Sequence, residues 1–410
     1  MTWERPRFEV ADVVRAHGDD YRRAHRSSAA QQRVLRNIAA CRTAALGGHV
    51  DDCEHGCGFA RISYNSCRDR HCPKCQGPQR AEWLERRIER LLPVPYFHVV
   101  FTIPDALNPL ALRNKDVVYK LLFEAASKTL LELARDPKWL GADIAITAVL
   151  HTWGQNLLLH PHLHCVVTGG GLTPDGSRWI AGCERFLLPV KVLGRLFRGK
   201  FLALLEQAYR HGKFELTGTT ADLADPVVWA GLRDGLYRAD WVVYAKPPFG
   251  GAQQVFRYLG RYTHRVAISN HRIVDLADGT VTFTAKDYKH GARTKTITLD
   301  ALEFLRRFLL HVLPKGFVRI RHYGLCASRN VNTKLATARR LLEPDATSES
   351  PQPAKPSEPS PWWERFRQHT GIDVMACPCC GGRLVRRSAR FDEIASVPDA
   401  SLARAPPEAA

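Results

Sequence analysis

The chain has 410 residues, 45% of them hydrophobic, and carries 59 Lys and Arg against 41 Asp and Glu, a formal net charge of +18. That length and apolar content support two or three domains with cores of their own, which excludes a fibrous or wholly disordered chain, and the basic excess along the sequence favours a polyanionic partner. The first residues mix charges of both signs and no apolar run reaches the roughly 18 residues that span a bilayer, so a soluble cytoplasmic protein with no membrane partner is expected.

Residues 28–47 read as a helix in which Val34, Ile38, Ala39 and Cys41 share an apolar stripe, stopped by Gly47 and Gly48. Eight of the 12 cysteines then fall in two local clusters with metal-type spacing, which suits zinc in a reducing compartment better than disulfides. In CEHGCGFARISYNSCRDRHCPKCQ, Cys53 with Cys57 and Cys72 with Cys75 form two knuckles whose four thiolates would close around one tetrahedral Zn2+. Cys67 and His71 are left as reserves or as part of a weaker second site. Arg61, Arg68, Arg70, Lys74 and Arg80 surround the knuckles and would touch phosphates. A basic linking helix at 78–92 completes a first, DNA-contacting domain over 1–92.

From there the pattern changes. PYFHVVFTIP at 95–104 reads as a strand, 105–135 as helical, and ADIAITAVLHTWGQ at 142–155 as a further strand. In HPHLH the imidazoles of His160, His162 and His164 recur at every second position, so on a strand they share one face while Leu163, Cys165 and Val167 enter a core. The two strands should be antiparallel neighbours, which would let His151 or Gln155 join His162 and His164 on a metal ion. A basic amphipathic helix at 192–213 and a strand at 239–249 follow.

GGAQQVFRYLGRYTHR fits a short helix carrying Tyr258 and Tyr262 one turn apart on one face, weakened at Gly260. Three short β-runs come next, then a helix at 300–313 capped by Asp300, and KGFVRIRHYG closes a second domain over 93–343. Residues 344–361 are a Pro/Ser/Glu linker expected to be disordered, and 362–410 form a tail in which Cys377 and Cys380 are a zinc half-site lacking a nearby second pair. No phosphate-binding loop of the G-x-x-x-x-G-K-[ST] type occurs, so no nucleotide cofactor is expected.

Neither chemical motif is rare alone: with 17 histidines, H-x-H arises by chance roughly 0.7 times, and with 11 tyrosines, Y-x-x-x-Y roughly 0.3 times. Their order is more telling: a cysteine-rich module, a strand ending FTIP, H-U-H (U being hydrophobic) on a strand, then paired tyrosines roughly a hundred residues later.

Through YNSCRDRHCPKCQ, PYFHVVFTIP, HTWGQNLLLHPHLHCVVTGGG, RYLGRYTHRVAISN and FLLHVLPKGFVRIRHYG, about residues 30–330, the chain resembles the insertion-sequence 91 family of rolling-circle transposases in the HUH endonuclease superfamily. CEHGC departs from that pattern, with three intervening residues where two are expected. The resemblance implies an α+β fold: an N-terminal helical zinc-binding module, then an HUH-type catalytic domain with a central antiparallel sheet flanked by helices. It implies that His162 and His164 bind a catalytic Mg2+ or Mn2+ and that Tyr258 and Tyr262 are nucleophiles. Gln155 is favoured over His151 as the third ligand, and Arg257, Arg261, His264 and Arg265 would hold flanking phosphates of single-stranded DNA. Strand unwinding would fall to a host helicase. The competing readings are a plasmid-type rolling-circle replication initiator or relaxase, a non-catalytic zinc-dependent DNA-binding regulator, and a zinc hydrolase, which lacks an evident carboxylate base.

Overall fold

A computed structural model of the chain describes residues 6–75, 86–183, 188–246, 267–287, 291–343 and, in the tail, 361, 363–364, 367, 371 and 373–388. The expected tyrosine helix and all but the last residue of the expected linker at 344–361 lie outside these residues, as does most of the expected helix at 78–92.

In chain order the elements are α1 (Val10–Ala24), α2 (Ala29–Ala40), β1 (Gly48–Cys53), β2 (Ala60–Tyr64), β3 (Tyr96–Thr102), α3 (Asn108–Arg113), α4 (Lys115–Arg135), β4 (Ala145–Trp153) and β5 (Leu159–Thr168). They continue with β6 (Gly170–Leu172), β7 (Trp179–Ala181), α5 (Val190–Arg210), α6 (Pro226–Arg238) and β8 (Val243–Lys246). The last are β9 (Ile273–Ala277), β10 (Thr280–Asp287), β11 (Arg293–Asp300), α7 (Ala301–Leu310), β12 (Ile320–Gly324), α8 (Ala336–Leu342) and β13 (Leu384–Ser388).

The described residues fall into two compact units. One draws on Met1–Glu82, His264–Val312 and Ser348–Ala410, the other on Trp83–Thr263 and Leu313–Thr347. Residues 264–312, which the sequence reading assigns to the catalytic domain, therefore belong with the N-terminal module.

In the first unit α1 packs against α2 and α7. The sequence reading passes over α1, yet Val10, Val13, Val14 and Tyr21 are buried along one side of it. Ser28 caps α2, its side chain accepting from the Gln31 N–H while the Gln31 side chain accepts from the Ser28 N–H, so two orphan donors are satisfied. Asp300 caps α7 as expected, accepting from the N–H groups of Leu302 and Glu303. One sheet has the order β13-β1-β2 and the other β11-β10-β9.

The second unit is built on a sheet of order β12-β4-β5-β3-β8 whose paired strands are all antiparallel. Strand alternation sorts its residues. Phe97, Val99 and Phe101 of β3, with Leu163, Cys165 and Val167 of β5, enter a core shared with Leu122 and Phe123 of α4 and Phe197 and Phe201 of α5. Each such buried side chain stabilises by about 1.5–3 kcal/mol. With that face sealed by helices, the other carries the polar residues of the same strands. No helix among the described residues is long and apolar enough to cross a membrane.

Candidate metal centres

On the face opposite that core, cross-strand register gathers histidines. His151 of β4 lies opposite His162 of β5, while Thr102 and Val100 of β3 lie opposite His162 and His164. His98 and Thr147 both face Val166, and His322 of β12 faces Thr147, so all three share that side. Each of His151, His162 and His164 offers a ring nitrogen within 4.8 Å of the others. The Nε2 atoms of His162 and His164 are 3.1 Å apart.

The other ring nitrogens explain why this pair suits a cation. His162 Nδ1 sits 2.6 Å from the carbonyl oxygen of His160, which can only accept, so Nδ1 carries the proton and Nε2 presents its lone pair. His164 Nδ1 is 2.8 Å from His98 Nε2, and the two rings stack with centroids 5.0 Å apart. With His164 donating to His98, two lone pairs point at the same spot. Two nitrogens bound at about 2.1 Å and at right angles lie about 3.0 Å apart, close to the spacing seen. Burial pushes the pKa of His162 and of His98 down to about 4, outweighing at the former the hydrogen bond to the His160 carbonyl that raises it, and helped at the latter by Lys246. Burial, then the neighbouring imidazoles of His151, His162 and His98, drive His164 well below its usual value. The rings are therefore neutral at pH 7 and can bind a cation without first losing protons.

The third imidazole of the cluster is His151, buried and stacked on Trp153 with centroids 4.6 Å apart. Gln155, the third ligand favoured from sequence, lies on the turn joining β4 to β5, past the irregularity between His151 and Trp153. That turn is fixed by Leu157, which is fully buried at a φ of +63°. Sequence reasoning missed His98, although its alternation with Phe97, Val99 and Phe101 already put it on the face opposite the core. Tyr258, Tyr262, Arg257, Arg261, His264 and Arg265 lie outside the described residues.

The thiols are arranged differently from the sequence expectation, which put Cys53, Cys57, Cys72 and Cys75 on one ion. Cys72 and Cys75 instead cluster with Cys41 and Cys67, and Cys53 and Cys57 with Cys377 and Cys380. Adjacency along the chain suggested the first grouping; β1 and β2 carry the Cys53 knuckle away from the Cys72 turn. In the first cluster Cys41 Sγ lies 3.3 Å from Cys75 Sγ and 3.5 Å from Cys72 Sγ, and Cys67 Sγ is 3.5 Å from Cys75 Sγ. Cys41, read from sequence as part of an apolar stripe, sits at the end of α2 with its thiol in the cluster. His71, the other reserve, is buried with its Nδ1 3.1 Å from an oxygen of Asp69.

Four thiols this close cannot all ionise unaided. Hydrogen bonds from Cys41, then from Cys67 and Cys72, pull Cys75 far down, while Cys67 and Cys72 are pushed up. A divalent cation is what lets all four become thiolates, and all 12 cysteines are free.

Comparison with known proteins bears on both sets of donors. Residues 13–103 match the family model for the IS91-type "Transposase zinc-binding domain", and residues 145–334 match a model described as "Putative transposase". The chain is 53% identical over 373 residues to "Putative transposase y4qJ" of Sinorhizobium fredii (strain NBRC 101917 / NGR234), covering 91% of this chain and 92% of the relative. It is 28% identical over 371 residues to "Transposase for insertion sequence element IS801" of Pseudomonas savastanoi pv. phaseolicola, covering 87% and 83% respectively. No solved structure matches the chain significantly. The zinc-binding domain and the cysteine clusters together support structural Zn2+.

Proposed function

The chain belongs to the IS91-type family of insertion-sequence transposases, and from that premise we propose that it nicks and rejoins single-stranded DNA through a covalent 5′-phosphotyrosine, moving its element by a rolling-circle mechanism. The observation that carries the reading is the pair of imidazole Nε2 atoms 3.1 Å apart on the sheet face opposite the helix-packed core, with His162 Nδ1 committed to a carbonyl and His164 Nδ1 beside His98. His162, His164 and His151 would hold a Mg2+ or Mn2+, which when bound would supply positive charge at the scissile phosphate. His98 fixes the ring of His164, and the His160 carbonyl fixes that of His162.

Tyr258 attacks the phosphorus. Its phenolic oxygen forms the new P–O bond, the bond from phosphorus to the 3′ oxygen breaks, and that oxygen leaves as a free 3′-OH after taking up a proton. One ester replaces another, so rejoining needs no nucleotide cofactor. Tyr262 serves the second strand, since moving an element requires cutting at donor and target. Arg257, Arg261, His264 and Arg265 flank the phenols in sequence; they hold neighbouring phosphates and favour phenolate. The nucleophiles follow β8, which pairs with β3, the strand next to the histidine strand. One zinc ion is held by Cys41, Cys67, Cys72 and Cys75. A host helicase supplies the single strand.

The test is a denaturing gel of purified protein incubated with labelled single-stranded element-end DNA and Mn2+. The wild type should give a covalent adduct whose tyrosine is mapped by mass spectrometry; Tyr258→Phe with Tyr262→Phe should give none. An adduct that survives the double substitution refutes the nucleophile assignment.

A further inference from the structure

Beyond residue 103, where the match to the zinc-binding domain ends, the tail returns to that module. Strand β13 pairs antiparallel with β1 over five residues, from His49↔Ser388 to Cys53↔Leu384. Arg61 of β2 donates to the carbonyl oxygen of Val374, 2.9 Å away, and the backbone N–H groups of Glu54 and Arg383 are each bonded to the other residue. At the end of this seam two knuckles meet. Cys53 Sγ lies 3.3 Å from Cys380 Sγ and Cys57 Sγ 3.6 Å from Cys377 Sγ. All four sulfurs are within 4.8 Å of one another. Around a tetrahedral ion with Zn–S of about 2.3 Å the sulfurs sit about 3.8 Å apart, so this quartet needs only slight expansion.

The local backbone is built for it. Gly56, Gly58 and Gly381 hold positive φ, which lets each knuckle fold back on itself. A side chain at Gly382 would lie 2.6 Å from the exposed ring of His55, which would have to turn aside, so glycine here lets the two knuckles sit close. Leu384 is buried with Cys53 and Cys377, with Phe59 and Met375 packed on them, which gives the sulfurs an apolar floor.

We propose that Cys53, Cys57, Cys377 and Cys380 hold a second structural zinc ion that fastens the C-terminal tail to the N-terminal module, so that residues from both ends of the chain complete the zinc-binding unit. The half-site seen in sequence at Cys377 and Cys380 thereby gains its partner within the same chain, and Cys57, with three residues separating it from Cys53, is a ligand in spite of that spacing. The site does not depend on the strand-transfer chemistry proposed above. Cys57 and Cys380 are exposed whereas Cys41, Cys72 and Cys75 are buried, so a chelator should strip this ion first.

The test measures zinc per chain in the purified full-length protein by mass spectrometry of the metal. Cys377→Ser with Cys380→Ser should lose one zinc equivalent relative to wild type. Cys379→Ser, which alters the cysteine between them, should lose none. A double variant that keeps the wild-type zinc content, or a Cys379→Ser variant that loses the same equivalent, overturns the ligand set. A second measurement does not rely on any cysteine variant folding. With a protease site introduced between residues 344 and 360, the cleaved tail should stay with the body on size exclusion while zinc is bound and leave once the first equivalent is chelated. A tail that departs with its zinc content intact, or that stays after chelation, overturns the fastening role.

Discussion

Replacing His98 tests whether the histidine face is a metal site tuned from behind or merely a packed cluster. His98 Nε2 lies 2.8 Å from His164 Nδ1, and the rings are stacked, 14° from parallel. His98→Phe keeps the stacking surface and removes the hydrogen-bond partner, whereas His98→Gln restores an acceptor. Loss of one partner behind a ligating imidazole lowers metal affinity by about 10- to 100-fold, equivalent to about 1.4–2.7 kcal/mol. A neutral hydrogen bond alone contributes only about 0.5–1.5 kcal/mol, so the upper half of that range requires that His164 also lose its orientation. Titration calorimetry with Mn2+ reads the effect: weaker binding in His98→Phe, recovery in His98→Gln, and near-complete loss in His162→Ala. If His98→Phe binds Mn2+ as tightly as the wild type while His162→Ala does not, His98 does not support the ion and the tautomer argument fails.

Other perturbations probe the scaffold. Asp51 is fully buried between Arg61, 2.9 Å away on one flanking strand, and Arg386, 3.1 Å away on the other; Asp51→Ala should cost about 3 kcal/mol in urea denaturation, the low end for a broken buried pair because both arginines reach water. An unchanged midpoint would show that the seam is held without this carboxylate. Asp143 is buried, which favours its neutral form, but hydrogen bonds from Arg135 and Lys334 outweigh burial and hold its pKa below the usual value. Its contribution is therefore complete above about pH 4 and disappears as pH falls toward the lower folded pKa, so Asp143→Asn should flatten the acid limb of stability in that window. Gly324 has φ +60° and an added Cβ would sit 1.9 Å from the carbonyl oxygen of Ile144; Gly324→Ala should cost about 2–5 kcal/mol and loosen β12 from β4, seen as faster amide exchange at Ile146 and Ala148. Retained protection there would mean that the backbone absorbs the clash elsewhere.

What could be read from the sequence was what is decided locally. The alternation of HPHLHCVV placed Leu163, Cys165 and Val167 in the core because side-chain period in a strand does not depend on partners, and Asp300 was a visible cap because the N–H groups that donate to it lie within three residues. What escaped depends on register and distance. That His151 stands opposite His162 follows from the register of β4 against β5, which the turn around Leu157 sets. The cysteine pairs were grouped by proximity along the chain, whereas Cys57 and Cys377 are brought together from 320 residues apart. Residues 264–312 were assigned to the catalytic domain because they follow its strands, but β9, β10 and β11 form a sheet of their own, and α7 packs against α1.

The order β13-β1-β2 also sets a timetable for synthesis. Strand β1 leaves the ribosome early, yet one of its two edges stays bare until β13 emerges, and Asp51 meets Arg386 from 335 residues further on. At about 5–20 residues per second that interval is roughly 20–70 s, during which an open edge is available to the wrong neighbour. A polypeptide that stops short of β13 therefore carries a first-made module that can never be finished, and the nascent chain must be kept from aggregating until that strand arrives.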